Sequence, residues 1–228
     1  TKDHFDSFEK IIENFNPRLI LCEKPLSATI EKSRKMIDLA KSANISLAVN
    51  FIRQYDPGIR RLIDIINDGE IGVPLKSCIW YRKGIYNNGS HMINLVSSIF
   101  GRFIGVDIIK HGRIFDGWDP EPDLKIKFAK GEVIFLSGNE EDFSYGQMEI
   151  YGPKGKVLLN KDGDVFLWRT ESDRVFDDYL VLESNPESIQ TDMRRYQHNV
   201  LENISNFFIN KSEIYCEGKS ALETMEIL

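Results

Sequence analysis

Two short stretches hold the residues best suited to chemistry. The first is Cys22-Glu23-Lys24-Pro25-Leu26, directly after the apolar run at 18–22. Such a run suits a strand buried on both faces, and in open parallel sheets ligands sit beyond the carboxyl ends of the strands. Lys24 would then aim an ammonium at a ligand crevice, with Pro25 stiffening the turn and an X-Pro bond that is able to be cis. The second stretch is Tyr86-Asn87-Asn88-Gly89-Ser90-His91-Met92-Ile93-Asn94. Ser90 reads as the cap of a helix, so His91 falls at its start, where the positive end of the dipole disfavours an imidazolium. A histidine kept neutral near pH 7 can accept a proton, which the oxidation of an alcohol requires. Asn87, four residues earlier, is placed to orient the ring or bind a hydroxyl, and Asn94 reaches the same pocket from the first helical turn.

The elements that must position these residues follow from periodicity. Residues 3–14 put Phe5, Phe8, Ile11 and Ile12 on one helical face. After the strand at 18–22, Ser27 or Thr29 offers an N-cap with Glu31 in the first turn, for a helix with Ile30, Ile37 and Ala40 on one face. Residues 45–49 make a second buried strand. Helix, strand, helix, strand is the second half of a parallel α/β sheet. Asp56-Pro57 opens a further helix with the stripe Ile59, Leu62, Ile63 and Ile66, and Gly69 closes it. A strand at 75–81, a loop at 84–89 and the helix from Ser90 to Gly101 come next. Thereafter the chain is mostly β: Leu124, Ile126 and Phe128 alternate with lysines, and strands are expected at 133–136, 147–151 and 156–160. Asp162-Gly163 turns a hairpin into 165–168. Residues 171–191 look irregular. A helix at 193–210 aligns Tyr196, Val200, Ile204 and Phe207, and a last one spaces Leu222, Met225 and Leu228 by three.

Composition narrows the partners. The 228 residues carry a net charge of −6, without the basic stripe of a nucleic-acid binder or the Lys/Arg run of a membrane-surface segment. No apolar run approaches the ~20 residues of a membrane span. Three cysteines, odd in number and far apart, suit a reduced, cytoplasmic protein. His4, His111 and His198 lack metal-ligand spacing, so no metal is expected. A small molecule is the expected partner. Trp80, Trp118, Trp168 and Phe135 read as sheet-packing residues, some of them facing an oligomer across an otherwise uncovered sheet.

Taken in order, these pieces resemble the signature motifs of the glucose-fructose oxidoreductase/inositol dehydrogenase (Gfo/Idh/MocA) family. The resemblance rests on Glu23-Lys24-Pro25 after a strand, Asn50-Phe51-Ile52-Arg53 with Pro57, and Asn67-Asp68-Gly69-Glu70-Ile71-Gly72. It also rests on Gly89-Ser90-His91 with Asn87 and Asn94, Gly152-Pro153-Lys154-Gly155, and the final Ala221-Leu222 helix. It covers essentially the whole chain. It implies an α/β remnant of a Rossmann domain at 1–50, a substrate-binding and oligomerisation α+β domain with a large, mostly antiparallel open sheet at 51–215, and a helix at 216–228 returning to the Rossmann part. The implied activity is hydride transfer between NAD or NADP and a hydroxyl of a sugar, sugar nucleotide or polyol. Lys24 and His91 would be catalytic, and Asn87, Asn94, Arg53 and Tyr86 would bind substrate. Glu23, Lys24, Pro25, His4 and Arg53 would face the cofactor. Homo-oligomers would form through the open sheet.

Two departures from that pattern stand out. Many dehydrogenases of the family carry Asp where this chain has Asn87 and Asn94. No Gly-x-Gly-x-x-Gly occurs, so the pyrophosphate cradle is expected upstream of Thr1, the chain reads as N-terminally truncated, and alone it should bind dinucleotide weakly. The alternative reading is a non-catalytic sugar-sensing regulator or oligomerisation module of the same fold.

Overall fold

The computed structural model describes residues 4–139, 146–160, 163–176 and 178–228. The chain forms two compact units, Thr1–Asp56 with Arg194–Leu228, and Pro57–Met193.

In the first unit, α1 (His4–Asn14), β1 (Leu19–Cys22), α2 (Ile30–Ser42) and β2 (Ser46–Val49) alternate as the sequence predicts. The Thr29 hydroxyl accepts the Lys32 N–H at 3.2 Å and starts α2. β1 and β2 pair in parallel, from Leu19 opposite Ser46 to Cys22 opposite Val49. β2 is buried at Leu47, Ala48 and Val49, but Leu21 of β1 is 37% exposed. Burial of β1 on both faces was expected and is not found, because β2 is its one strand partner among the described residues. α2 turns Ser33, Met36 and Ala40 inward; of the expected face of Ile30, Ile37 and Ala40, Ala40 is buried and Ile37 packs against the core partly exposed. Ser33 fits there because its hydroxyl meets Ser27 Oγ at 2.8 Å and donates to Met225 Sδ at 3.1 Å.

The second unit opens with α3 (Pro57–Asn67), whose buried face includes Ile59, Leu62, Ile63 and Ile66. Gly69, at φ +83°, then reverses the chain. Next come β3 (Leu75–Tyr81), α4 (Ser90–Phe100) and β4 (Phe103–Lys110), then a short hairpin of β5 (Ile114–Phe115) and β6 (Asp119–Pro120). The strands β7 (Asp123–Phe128), β8 (Gly131–Ser137), β9 (Gln147–Gly152), β10 (Gly155–Leu159), β11 (Val165–Ser172), β12 (Leu180–Leu182) and β13 (Glu187–Ile189) complete it. One sheet runs β12-β11-β10-β9-β3-β8-β7-β4, with β13 also on β11. Only β3–β8 pairs in parallel, so the sheet is mixed and mostly antiparallel. One face is apolar and buried, including Ile79, Ile126, Val133, Phe135, Ile150, Val157 and Leu167. The Phe100 ring of α4 lies 6.0 Å from Phe128, and α3 packs on β11 and β13.

Three local expectations are corrected. Residues 84–89, read as a loop, form a π-helical turn that runs straight into α4. Ser90 therefore does not cap a free helix end; its hydroxyl donates back to the Asn87 carbonyl at 2.9 Å. Residues 171–191, read as irregular, hold β12, β13 and the end of β11. β10 and β11 pair antiparallel, with Leu159 opposite Val165; of the turn predicted at Asp162-Gly163, Asp162 lies outside the described residues.

The chain returns to the first unit with α5 (Tyr196–Asn210) and α6 (Gly218–Ile227). α5 buries Asn199, Val200 and Asn203, while Tyr196 stays 41% exposed. Asn203 is tolerated inside because it donates to the Glu213 carbonyl and accepts the Tyr215 N–H. α6 buries Ala221, Thr224 and Ile227, one position ahead of the expected Leu222, Met225 and Leu228. Phe8, Leu26, Met36, Leu47, Val49, Tyr55, Val200, Cys216 and Ala221 share one core. Units divided at Asp56 and Arg194 thus differ from the boundaries expected at residues 50 and 215: Tyr55 and α5 bury their apolar side chains in the first core. No helix among the described residues is long and apolar enough to cross a membrane.

Candidate functional site

The singled-out residues fall into two sets, one in each unit. In the first unit, the parallel register ends at Cys22 and Val49, and the Asn50 N–H extends it by donating to the Cys22 carbonyl at 2.8 Å. The two strand tips therefore lie side by side, and Glu23, Lys24 and Asn50 emerge together. Leu26, which is fully buried, anchors the far side of the turn, and the Lys24-Pro25 bond is cis. His4 on α1 joins this group: its Nδ1 lies 2.9 Å from the Pro25 carbonyl and 3.8 Å from Cys22 Sγ. Burial pushes the Cys22 thiol up to about 11, and the neighbouring Glu23 charge adds to the shift.

Asn50 is the residue here that motif reading left without a role. It is 3% exposed, and its amide donates to Glu23 Oε1 at 2.7 Å. Its own carbonyl oxygen is buried with no hydrogen-bond partner, an arrangement that favours a ligand bringing a donor. A polar side chain at the end of an otherwise apolar strand was the available signal. Arg53, in the 3-10 turn Ile52–Tyr55, is half-buried. Desolvation lowers its pKa from the ordinary value, yet a guanidinium stays charged at neutral pH. Glu23, Lys24, Asn50 and Arg53 together offer a carboxylate, two cations and an amide, which suits a ligand rich in hydroxyl and amide groups.

In the second unit, Tyr86, Asn87, His91 and Asn94 lie on one continuous helical stretch. His91 is the second residue of α4, as expected, but the preceding π-helical turn moves the free N–H end upstream to Gly84. That end is met by carboxylates from the β5–β6 hairpin and the residue after it. Asp119 accepts the Tyr86 N–H on Oδ1 at 3.0 Å and the Asn87 N–H on Oδ2 at 2.9 Å. Glu121 accepts the Gly84 N–H at 3.0 Å and pairs with Arg113. Neither acid was singled out from sequence, although Asp119-Pro120-Glu121-Pro122-Asp123 alternates acceptors with prolines, which cannot donate. Burial pushes the Asp119 carboxyl up, against the pull of the backbone N–H groups it accepts. His91 is half-buried with Nδ1 shielded from solvent. Asn94 is 1% exposed, whereas Asn87 is exposed. The Tyr86 ring stacks on Trp118, 6.2 Å between centroids and 24° between planes. Trp118 is 63% exposed, so it is not the sheet-packing residue that its type suggested. Among the described residues, no cluster of three or more His, Cys, Asp or Glu is arranged to hold a metal.

No family model matches the chain. Individual proteins do. A D-xylose 1-dehydrogenase [NADP(+)] from Haloarcula marismortui is 38% identical over 58 residues, covering 25% of this chain and 16% of that one. A scyllo-inositol 2-dehydrogenase (NAD(+)) from Bacillus subtilis is 26% identical over 185 residues, covering 73% and 52%. The solved structure of UDP-N-acetylglucosamine 3-dehydrogenase from Acidithiobacillus ferrooxidans superposes with a TM-score of 0.74, covering 99% of this chain and 72% of that one. The chain resembles dehydrogenases of the glucose-fructose oxidoreductase/inositol dehydrogenase type in sequence and shares the fold of solved oxidoreductases. At 14% identity the structural likeness speaks for the fold, and the chain spans less than two-thirds of the length of these curated relatives.

Proposed function

We propose that this chain contributes the substrate-handling part of an NAD(P)-dependent oxidoreductase that acts on a hydroxyl of a sugar, sugar nucleotide or polyol. The observation that carries this reading is the Glu23-Lys24-Pro25 turn. It leaves the paired tips of two parallel strands beside Asn50, whose buried oxygen lacks a partner. In this reading the first unit is the latter half of a Rossmann domain, and its strand tips face the cofactor. His4, Glu23, Pro25 and Arg53 line the cofactor side together with Lys24. These residues fit the nicotinamide-ribose end of NAD or NADP; the glycine-rich cradle for its pyrophosphate is not among them.

When bound, the nicotinamide supplies the hydride acceptor. His91 takes the proton of the substrate hydroxyl, held in place by the helical stretch it sits on. Lys24 donates a hydrogen bond to a substrate oxygen and stabilises negative charge that develops there. Asn87, Asn94, Arg53 and Tyr86 orient the remaining hydroxyls. Asparagine at residues 87 and 94 cannot raise the basicity of His91 as a carboxylate would, so the imidazole works without electrostatic assistance from those positions.

The test is turnover by the complete protein with NAD and NADP across a panel of pyranoses, polyols and sugar nucleotides. Lys24→Ala and His91→Ala are each expected to lower kcat about a hundredfold or more, the usual size of a lost acid–base or oxyanion-type contact. A folded wild type without turnover across that panel would replace this reading with the sugar-sensing regulator, which the two asparagines favour.

A further inference from the structure

Asp119 and Glu121 are both fully buried, a costly place for carboxylates. Three of their four oxygens accept the backbone N–H groups of Gly84, Tyr86 and Asn87, in a turn whose side chains at residues 86–88 are exposed, and the fourth, Glu121 Oε2, accepts from Arg113. The first N–H groups of a helical segment have no partner within it, and here a hairpin 32 to 37 residues away supplies one for three of them. Glycine at 84 makes room for the contact. Its φ is +82°, and an added Cβ would lie 1.8 Å from Asp119 Oδ2. The same hairpin lays Trp118 against the Tyr86 ring, and Arg113 links Glu121 to Asn139, 2.7 Å from Nη1 to Oδ1. From Asn87 the linkage continues through the Ser90 hydroxyl to the residue beside His91.

We propose that Asp119 and Glu121 are positioning residues, a carboxylate clasp that fixes where residues 86–91 present the Asn87 amide and the His91 imidazole. The proposal rests on the reading of His91 as the base, and it adds what sets that base in place.

The test uses the whole chain and does not require turnover. Asp119→Asn keeps the side-chain volume but turns an amide N–H toward one of the two backbone donors. Hydrogen exchange at the Tyr86 and Asn87 amides is expected to rise about tenfold, the worth of one buried hydrogen bond. The amides of β3 and of α4 beyond its first turn should keep their protection. The His91 ring resonances, assigned by their loss in His91→Gln, should move in the same variant. Unchanged exchange at residues 86 and 87, or unmoved His91 resonances, in a folded Asp119→Asn protein would overturn the proposal. Should that variant fail to fold, Glu121→Gln reads the same clasp through the Gly84 amide and the His91 ring, with the same two outcomes. In the active complete protein, Asp119→Asn is expected to lower kcat about tenfold while leaving the dinucleotide KM unchanged within about twofold. An inactive wild type would defeat the proposed reaction and leave the exchange and resonance readouts to decide the clasp.

Discussion

Cys22 shows how a residue at the candidate site is governed by burial. Its thiol donates to the Glu23 and Leu26 carbonyls at 3.4 and 3.7 Å, and desolvation followed by the Glu23 charge raises its pKa to about 11. Because the unfolded thiol ionises at lower pH, the folded chain holds the extra proton between the two values, and this contribution to stability is lost as pH rises through about 11. The expected outcome is slow alkylation: at pH 8 iodoacetamide should label Cys22 at least about tenfold more slowly in the folded chain than in urea, since only the thiolate reacts. Peptide mass spectrometry reads this directly, and equal rates would show that the thiol is not held neutral. Asn87 offers a complementary test. It is exposed and four residues before His91, so Asn87→Asp should be tolerated and should favour the imidazolium. The His91 pKa should rise by a few tenths of a unit, the size of a surface charge pair at this spacing. An NMR titration measures it; a shift downward would show that the residue 87 side chain does not face the ring. Lys24 and His91 were singled out by residue type and order. Asn50, Asp119 and Glu121 were not, because what distinguishes them is a partner, or the lack of one, that only tertiary structure reveals.

At the scale of elements, the segments that stand on local chemistry are the ones the sequence announced. α2 begins where Thr29 accepts the Lys32 N–H, and Glu31 is held below the usual carboxylate range, first by its own backbone N–H and then by Thr29. Thr29→Ala should cost about 1 kcal/mol, seen as a lower urea midpoint at unchanged m-value; an unchanged midpoint would mean that the cap contributes nothing. α3 was equally plain, with its four-isoleucine/leucine stripe and a terminating glycine. The π-helical turn at residues 84–89 was not, and the reason is physical. Its backbone donors are satisfied by acids 32 to 37 positions later, far outside any window in which periodicity operates. β5 and β6 are two residues each, too short to show alternation. β12 has all three residues exposed, so it carries no apolar pattern to read. The helical faces of α5 and α6 were displaced because Asn203 and Thr224 are buried with satisfied hydrogen bonds, and a rule that seeks apolar residues passes over them.

At the scale of the whole molecule, the second unit's sheet has a face that no described element covers. Its registers put Lys125, Ile134, Cys78, Glu149, Leu158 and Phe166 in one row across β7, β8, β3, β9, β10 and β11. Charge occupies one side of this face, where Lys125 pairs with Glu132 at 2.9 Å and Lys127 with Asp107 at 2.8 Å. Aromatic rings occupy the other, with Lys156 Nζ set 5.1 Å from the Tyr151 ring and 5.5 Å from the Trp168 ring. Trp80, on the central strand β3, is a large apolar side chain of this face and is 43% exposed. Apolar groups exposed on one face of a monomer favour burial against a second copy. We therefore expect a homo-oligomer joined through this face, in which Trp80→Asp buries an unpaired carboxylate at a cost of several kcal/mol, on the order of 3–5. Light scattering on the eluting peak should give a multiple of the chain mass for the wild type and the single-chain mass for the variant. Because Trp80 is already half in solvent, the thermal midpoint measured at high dilution, where both are single chains, should differ little. A wild type that runs as a single chain at tens of micromolar, or a Trp80→Asp protein that still assembles, would place the contact elsewhere.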